Sequence, residues 1–253
     1  MRLPDRPAVK ILERLRARRH VPKTSQPDKS VWIIQVPELA DDLHPEGFLR
    51  RVRELCTKHG ILLVFDEVIT GFGRTGSAFA SQEFDVVPDL ITCAKGLTNG
   101  AVPMGSVFAK REIYDTFMQG PPGAIELFHG YTYSAHPIAC AAGLAAQKIY
   151  RGEGLFERAK AMAPYWSDAV YSLKGRRNVV DLRAYGMVAG IELAPRDGAP
   201  GARGYDALVA AFNAGLLIRT TGDTIAMSPP LIIERKGVDR IFETLAGIID
   251  RLD

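Results

Sequence analysis

The sequence predicts an α/β fold: part of a large domain built on a mostly parallel sheet, then a smaller C-terminal α+β domain. Three observations lead there. Two short apolar runs, residues 61–65 and 90–94, each close on a polar pair, Asp66-Glu67 and Lys95-Gly96. The first run follows directly on a helical pattern in which Phe48, Leu49, Val52, Leu55 and Cys56 recur at three and four residues. That order of helix, strand, loop and strand is the order of a parallel sheet. From about Tyr150 onward the pattern changes to charged helices and short strands, the mark of a separate unit.

In chain order, residues 8–19 have helical spacing, with Val9, Ile11, Leu12 and Leu15 loosely on one side. Pro22, Pro27 and their polar neighbours read as a linker. Residues 31–36 form a short strand. Pro45-Glu46-Gly47 opens the next helix, and Lys58-His59-Gly60 ends it, with basic residues and then glycine where a C-cap belongs. The strands to Asp66 and Lys95 come next, followed by a Gly-rich turn and a strand at 104–109. Residues 137–149 form an Ala-rich helix (Ala139, Ala141, Ala142, Ala145, Ala146) whose small side chains permit close packing. A charged helix at 155–173 precedes strands at 179–183 and 188–193, a helix at 205–212, short strands around Leu217 and Ile225, and a last helix at 236–252. Three parts result: residues 1–30 as a basic head and linker, 31–148 as large domain, and 149–253 as small domain.

The 253 residues carry a net charge of +3, but the charge is uneven. Residues 1–30 hold nine Lys/Arg against Asp5, Glu13 and Asp28, so that head is +6 and the remainder −3. A nucleic-acid role needs basic residues on the folded body, where they are not concentrated. The head reads as a solvated helix and linker; it is Arg-rich like a mitochondrial targeting segment, yet contains acids and little serine. No apolar stretch approaches the roughly 18 residues of a membrane span. Cys56, Cys93 and Cys140 are scattered, odd in number and without metal-ligand spacing. They point to a reducing compartment, the cytoplasm, and to no metal site.

Gly71-Phe72-Gly73-Arg74-Thr75-Gly76 satisfies the G-x-G-x-x-G pattern, but a dinucleotide site needs those glycines at the strand-to-helix turn. Here Asp66 and Glu67 intervene, so the pattern argues little for NAD. The run ending in Asp66 imitates the metal-binding acid of P-loop ATPases, yet G-x-x-x-x-G-K-[ST] occurs nowhere in the chain. In an open α/β sheet, side chains at the carboxyl ends of strands face the crevice where ligands bind. An acid and an amine delivered there are what pyridoxal phosphate chemistry requires. The lysine forms a Schiff base, and the acid keeps the pyridine nitrogen protonated so that the ring accepts electrons. Singly, Asp66 reads as a turn residue and Lys95 as a surface lysine; their combination carries the inference.

The segment Phe65-Asp66-Glu67-Val68-Ile69-Thr70-Gly71-Phe72-Gly73-Arg74-Thr75-Gly76, with Pro88-Asp89-Leu90 and Ala94-Lys95-Gly96, resembles the class-III pyridoxal-phosphate aminotransferases. Leu97-Thr98-Asn99-Gly100, the stretch His129-Gly130-Tyr131-Thr132-Tyr133-Ser134-Ala135-His136-Pro137, and Ser228-Pro229-Pro230-Leu231 narrow the likeness. It is to the ω-amino acid:pyruvate (β-alanine:pyruvate) type, nearly unbroken from about Pro45 to the end. The resemblance implies fold type I of the pyridoxal enzymes, pyridoxal 5'-phosphate as cofactor, and amine and keto-acid substrates. It implies Lys95 as the Schiff-base lysine, Asp66 as partner of the pyridine nitrogen, and Val68 packed on one ring face. Tyr131 and Thr132 resemble the segment that reaches the cofactor phosphate of a partner subunit, so a homodimer, or pairing with a full-length relative, is expected. Arg219 matches a mobile arginine that clasps a substrate carboxylate, for which a planar guanidinium fork is suited. Arg74 reads as a loop anchor, and His129 and His136 as structural.

The family pattern also has an upstream half, with a phosphate-holding loop at a helix start, that residues 1–44 do not match. The departure begins at Ile33-Ile34-Gln35-Val36-Pro37, where the family has an apolar strand ending in Val-Glu-Pro. A truncated chain with open, apolar strand faces is the expectation. Two readings follow: a transaminase of the β-alanine:pyruvate type, or a non-catalytic remnant or dimerising subunit of one.

Overall fold

The computed structural model describes residues 31–35, 47–123, 127 and 129–253. The predicted helix at 8–19, the linker and the basic head lie outside the described residues, as do Val36, Pro45 and Glu46.

The first sheet has the strand order β1-β2-β3-β4, formed by β1 (Val31–Gln35), β2 (Leu62–Asp66), β3 (Leu90–Cys93) and β4 (Ser106–Ala109). The first three strands are parallel, as the helix–strand order predicts, and β4 closes the edge antiparallel to β3. Helix α1 (Phe48–Lys58) lays Leu49, Val52 and Cys56 on Leu63 and Phe65 of β2, with Ala80 and Val86 completing this cluster. It stops where the sequence says. Gly60 takes a left-handed conformation, its N–H bonds the Thr57 carbonyl and the Ile61 N–H bonds that of Cys56. This double bond is the Schellman arrangement, for which a glycine at that position is suited.

One partly buried ionic cluster ties these elements together. Asp89, just before β3, accepts hydrogen bonds from the Leu63 N–H (2.7 Å), Arg53 of α1 (2.6 Å) and Lys110 beyond β4 (2.8 Å). Burial acts to raise the Asp89 carboxyl pKa, but those three donors outweigh it and hold it below its ordinary value.

Two short helices, α2 (Ala80–Glu83) and α3 (Arg111–Phe117), flank the sheet; α3 has no forecast in the sequence reading. The Ala-rich helix is α4 (Pro137–Gly152), three residues longer than its predicted end. Its small residues do allow a close approach: Gly143 lies where a Cβ would be 3.6 Å from the Leu97 carbonyl oxygen. Helix α4 runs straight through the predicted domain boundary at 148–149.

The second sheet is wholly antiparallel, with the order β5-β6-β8-β7. It comprises β5 (Val179–Tyr185), β6 (Val188–Leu193), β7 (Arg219–Thr221) and β8 (Thr224–Met227). Helices α5 (Leu155–Tyr171), α6 (Ala202–Asn213) and α7 (Arg235–Ile249) supply Trp166, Val170, Ala207, Leu245 and Ile249 to its core. Leu217 corrects the sequence reading: it precedes β7 and is 82% exposed. The tight Gly222-Asp223 turn sets the hairpin register, Thr221 opposite Thr224 and Arg219 opposite Ala226. Turn geometry, rather than the apolar pair at 216–217, fixes where the strand begins.

Phe72 and Cys93 from the first part share one buried cluster with Trp166, Leu231 and Phe242 of the second. Apolar side chains are exposed on β4 (Val107, Phe108) and α4 (Ile138, Leu144, Ile149). Among the described residues, no helix is long and apolar enough to cross a membrane.

Candidate active site

Parallel pairing of β2 and β3 sets Asp66 level with Thr92, and the Glu67 N–H continues the ladder to the Thr92 carbonyl (2.8 Å). Lys95 follows three residues later, so acid and amine leave adjacent strand ends on the same edge of the sheet. The half-buried Asp66 carboxylate is anchored through Oδ1, which accepts from the Val68 N–H (3.1 Å) and the Thr92 hydroxyl (3.3 Å). Glu67 points the other way. It is fully buried, and its oxygens accept from the N–H groups of Ala80 (2.5 Å) and Ser81 (2.9 Å) and from the Thr70 hydroxyl (3.3 Å). The neighbouring acid thus fastens the loop that begins at Asp66.

Lys95 opens a 3-10 turn, Lys95–Leu97, with φ +44. Such a left-handed backbone costs a residue with a Cβ about 1–3 kcal/mol, and persists only where the surroundings enforce it. Among the described residues its ammonium has no ion-pair or hydrogen-bond partner. Lys95 lines a cavity of 810 Å³ together with Val68, Arg74, Ser228 and Arg219. Arg219, at the start of the edge strand β7, is exposed and likewise unpaired among the described residues. Of the predicted site residues, Lys95, Val68 and Arg219 therefore share one cavity, and Asp66 stands at the strand end beside it without lining it. Tyr131 and Thr132 do not join them. They line a second cavity, of 690 Å³, with Val102, Met104 and His129. His129 is held in place there: its Nδ1 accepts the Tyr131 N–H (2.9 Å).

The glycine-rich segment is a joint between the two sheets rather than a nucleotide loop. Gly73 has φ +90, and a Cβ there would lie 2.5 Å from the Phe156 ring of α5. A Cβ on Gly76 would meet Lys160 at 3.0 Å. Arg74 anchors the loop as expected, donating to the Pro229 carbonyl, while its own carbonyl accepts the Met187 N–H (2.7 Å). Burial pulls the Arg74 guanidinium below its ordinary pKa, with Tyr150 opposing. Cys93, behind the site, is pushed up to about 11 by burial, to which Glu67 adds, so its thiol stays protonated.

Two features carry more information than the sequence reading extracted. Thr92 is the single polar residue inside the run Leu90-Ile91-Thr92-Cys93, a signal that its side chain has a partner. Tyr150, the aromatic end of an Ala-rich helix, reaches the turn of Lys95; nothing in its spacing announced that.

The model of the aminotransferase class-III family matches residues 39–249. The chain belongs to that family. It is 57% identical over 209 residues to an omega-aminotransferase of Caulobacter vibrioides, covering 83% of this chain and 48% of that protein. It is 48% identical to an omega-amino acid–pyruvate aminotransferase of Pseudomonas putida, over 82% of this chain and 47% of the relative. The chain thus spans about half the length of the curated relatives it matches. Among solved structures, a Bacillus anthracis aminotransferase superposes with a TM-score of 0.81 at 32% identity, covering 88% of this chain and 52% of that one. An (S)-enantioselective omega-transaminase from Thermomicrobium roseum gives 0.79 at 34%, over 86% and 50%. An amine transaminase from an uncultivated Pseudomonas species, in its PLP-bound form, gives 0.81 at 32%, over 88% and 52%. These neighbours agree with the α/β pyridoxal-enzyme fold that the class-III motifs imply.

Proposed function

We propose that this chain carries the lysine, the ring-facing acid and the carboxylate-binding arginine of a pyridoxal-phosphate transaminase that moves an amino group from an ω-amino acid or amine to pyruvate. One observation carries the reading. A lysine with no partner among the described residues, held in a strained turn at a strand end, lines an 810 Å³ cavity that also takes Arg219, with a strand-end carboxylate one strand away. These residues fit pyridoxal 5'-phosphate at its aldehyde and ring-nitrogen ends: a free amine for the first, an anchored carboxylate for the second. The cofactor, when bound, supplies a carbonyl for amines and a ring able to hold an electron pair.

The chain's own residues do the remaining work. Asp66 keeps a proton on the ring nitrogen, because a carboxylate beside it favours the charged form. Val68, on the cavity wall, would pack against the ring. With the cofactor bound, Nζ of Lys95 would take the proton from the donor carbon and hand it on to the cofactor carbon, acting first as base and then as acid. Arg219 offers two parallel N–H groups to a substrate carboxylate. Tyr131 and Thr132 are assigned to the phosphate of a partner subunit's cofactor, within a homodimer or a pairing with a full-length relative. Their place on a separate cavity supports that assignment. The domain division at 148–149, and a cytoplasmic location suited to three free cysteines, belong to the same proposal.

The test is a visible absorption spectrum after adding pyridoxal 5'-phosphate. A new band in the parent chain that is lost in Lys95→Ala supports the reading. A band that persists in Lys95→Ala overturns the assignment of Lys95, and no band in the parent favours the second reading, a non-catalytic or dimerising subunit.

A further inference from the structure

The strained turn of Lys95 needs something to hold it, and two groups distant in sequence converge on the next residue. The Tyr150 hydroxyl, from the last turns of α4, donates to the Gly96 carbonyl at 2.7 Å. That same carbonyl accepts the Asn99 N–H (3.3 Å), so both its lone pairs are engaged. Phe72 presses on Gly96 so closely that a Cβ there would lie 2.8 Å from the Phe72 Cβ. Tyr150 and Phe72 stack on each other with ring centroids 6.2 Å apart, and Phe156 of α5 packs on Tyr150 at 5.3 Å. Tyr150 is 7% exposed. Ring packing holds the tyrosine, and its hydroxyl is left to hold the turn.

We propose that Tyr150 is a positioning residue for Lys95: its hydroxyl, bonded to the Gly96 carbonyl, keeps the turn in the left-handed conformation that presents the Lys95 amine to the cavity. The inference deepens the transaminase reading and rests on it for the purpose of the amine. The restraint on the turn is a property of this chain with or without cofactor. It also gives the loop Gly71–Gly76 a second use, because Phe72 packs on both Gly96 and the Tyr150 ring.

Tyr150→Phe removes the hydroxyl and keeps the ring packing, so two readouts are compared in the parent chain and this variant. The first needs no cofactor: amide hydrogen exchange of the 95–100 segment, whose Leu97, Asn99 and Gly100 N–H groups bond within the turn. Exchange about 5- to 10-fold faster in Tyr150→Phe is expected from loss of one buried hydrogen bond. The second is the rate at which pyridoxal 5'-phosphate is captured on Lys95, trapped with borohydride and located by mass spectrometry, expected to fall by a similar factor. Tyr165→Phe, which deletes a tyrosine hydroxyl bonded to Asp239 away from the cavity, controls for a general loosening and should change neither. Unchanged exchange at 95–100 in Tyr150→Phe, or an equal change in Tyr165→Phe, overturns the proposal. Faster exchange with an unchanged capture rate overturns the positioning role. No capture in the parent chain counts against the transaminase reading instead, while exchange still decides the restraint on the turn.

Discussion

Asp66 and Thr92 face each other across the parallel pair β2 and β3, and the threonine hydroxyl donates to Oδ1 of the carboxylate at 3.3 Å. With the Val68 N–H on the same oxygen, the acid is oriented by groups on two segments before any ligand arrives. Preorganisation of this kind would spare the carboxylate a reorientation in the ring-nitrogen role proposed for it.

Thr92→Val keeps the β-branched shape and removes the donor. We expect binding of pyridoxal 5'-phosphate to weaken about 3- to 10-fold, the worth of one ordinary hydrogen bond, with little change in melting temperature. Spectral titration measures it, and Thr92→Ser should recover most of the loss.

Lys95 should be a site where function opposes stability. With φ +44, a Cβ is unfavourable, so Lys95→Gly is expected to be more stable than Lys95→Ala by about 1 kcal/mol. Both lack the amine and should fail to form a covalent adduct. Melting curves of the two variants, run side by side, decide whether the turn is strained.

Asp89 should give the protein an acid-sensitive component of stability. Its carboxyl is held below the ordinary value of 3.8 in the folded state, so an unfolded chain binds a proton there first as pH falls. The stabilisation is full above the unfolded value and lost as pH drops through the folded one. Asp89→Asn is expected to cost about 1–2 kcal/mol at neutral pH, since the partly exposed Arg53 and Lys110 lose their counter-ion but stay in reach of water. The variant should also have a flatter stability profile between pH 5 and 2 (roughly that range, from the ordinary carboxylate pKa), read by urea unfolding.

Gly186 lies at φ +55, and a Cβ there would overlap the Arg74 carbonyl oxygen, a backbone atom that cannot rotate away. Gly186→Ala is expected to destabilise by about 3 kcal/mol, through the joint between the sheets rather than through either core. Gly198→Ala, also at positive φ (+70) but in open space, should cost only about 1 kcal/mol.

Arg219→Gln tests substrate recognition. Carboxylate-bearing substrates should lose about 10- to 100-fold in affinity, while an amine donor lacking a carboxylate keeps its affinity. Equal losses for both would remove Arg219 from substrate binding. The readout is steady-state kinetics on the two donors.

The local signals of this fold are written in the residues themselves. Apolar period three-to-four gives α1, Gly60 its stop, and the runs at 61–65 and 90–94 the two central strands, because burial of one face or both selects those patterns before any tertiary contact forms. Resemblance to the class-III motifs is what brought Asp66, Val68, Lys95 and Arg219 forward as a set. Three-dimensional packing decided the rest. That β4 pairs antiparallel, that β7 starts at Arg219 rather than near Leu217, and that Tyr131 and Thr132 face a different cavity from Lys95 all depend on partners far along the chain. So does the use of Gly71–Gly76 as a joint, since a glycine reports only that backbone comes close, not to what. The sequence alone named the groups proposed for the chemistry; only the fold decided which of them share a cavity and what bonds to the lysine's turn, because a hydrogen bond between residues 96 and 150 leaves no trace in either one's neighbours.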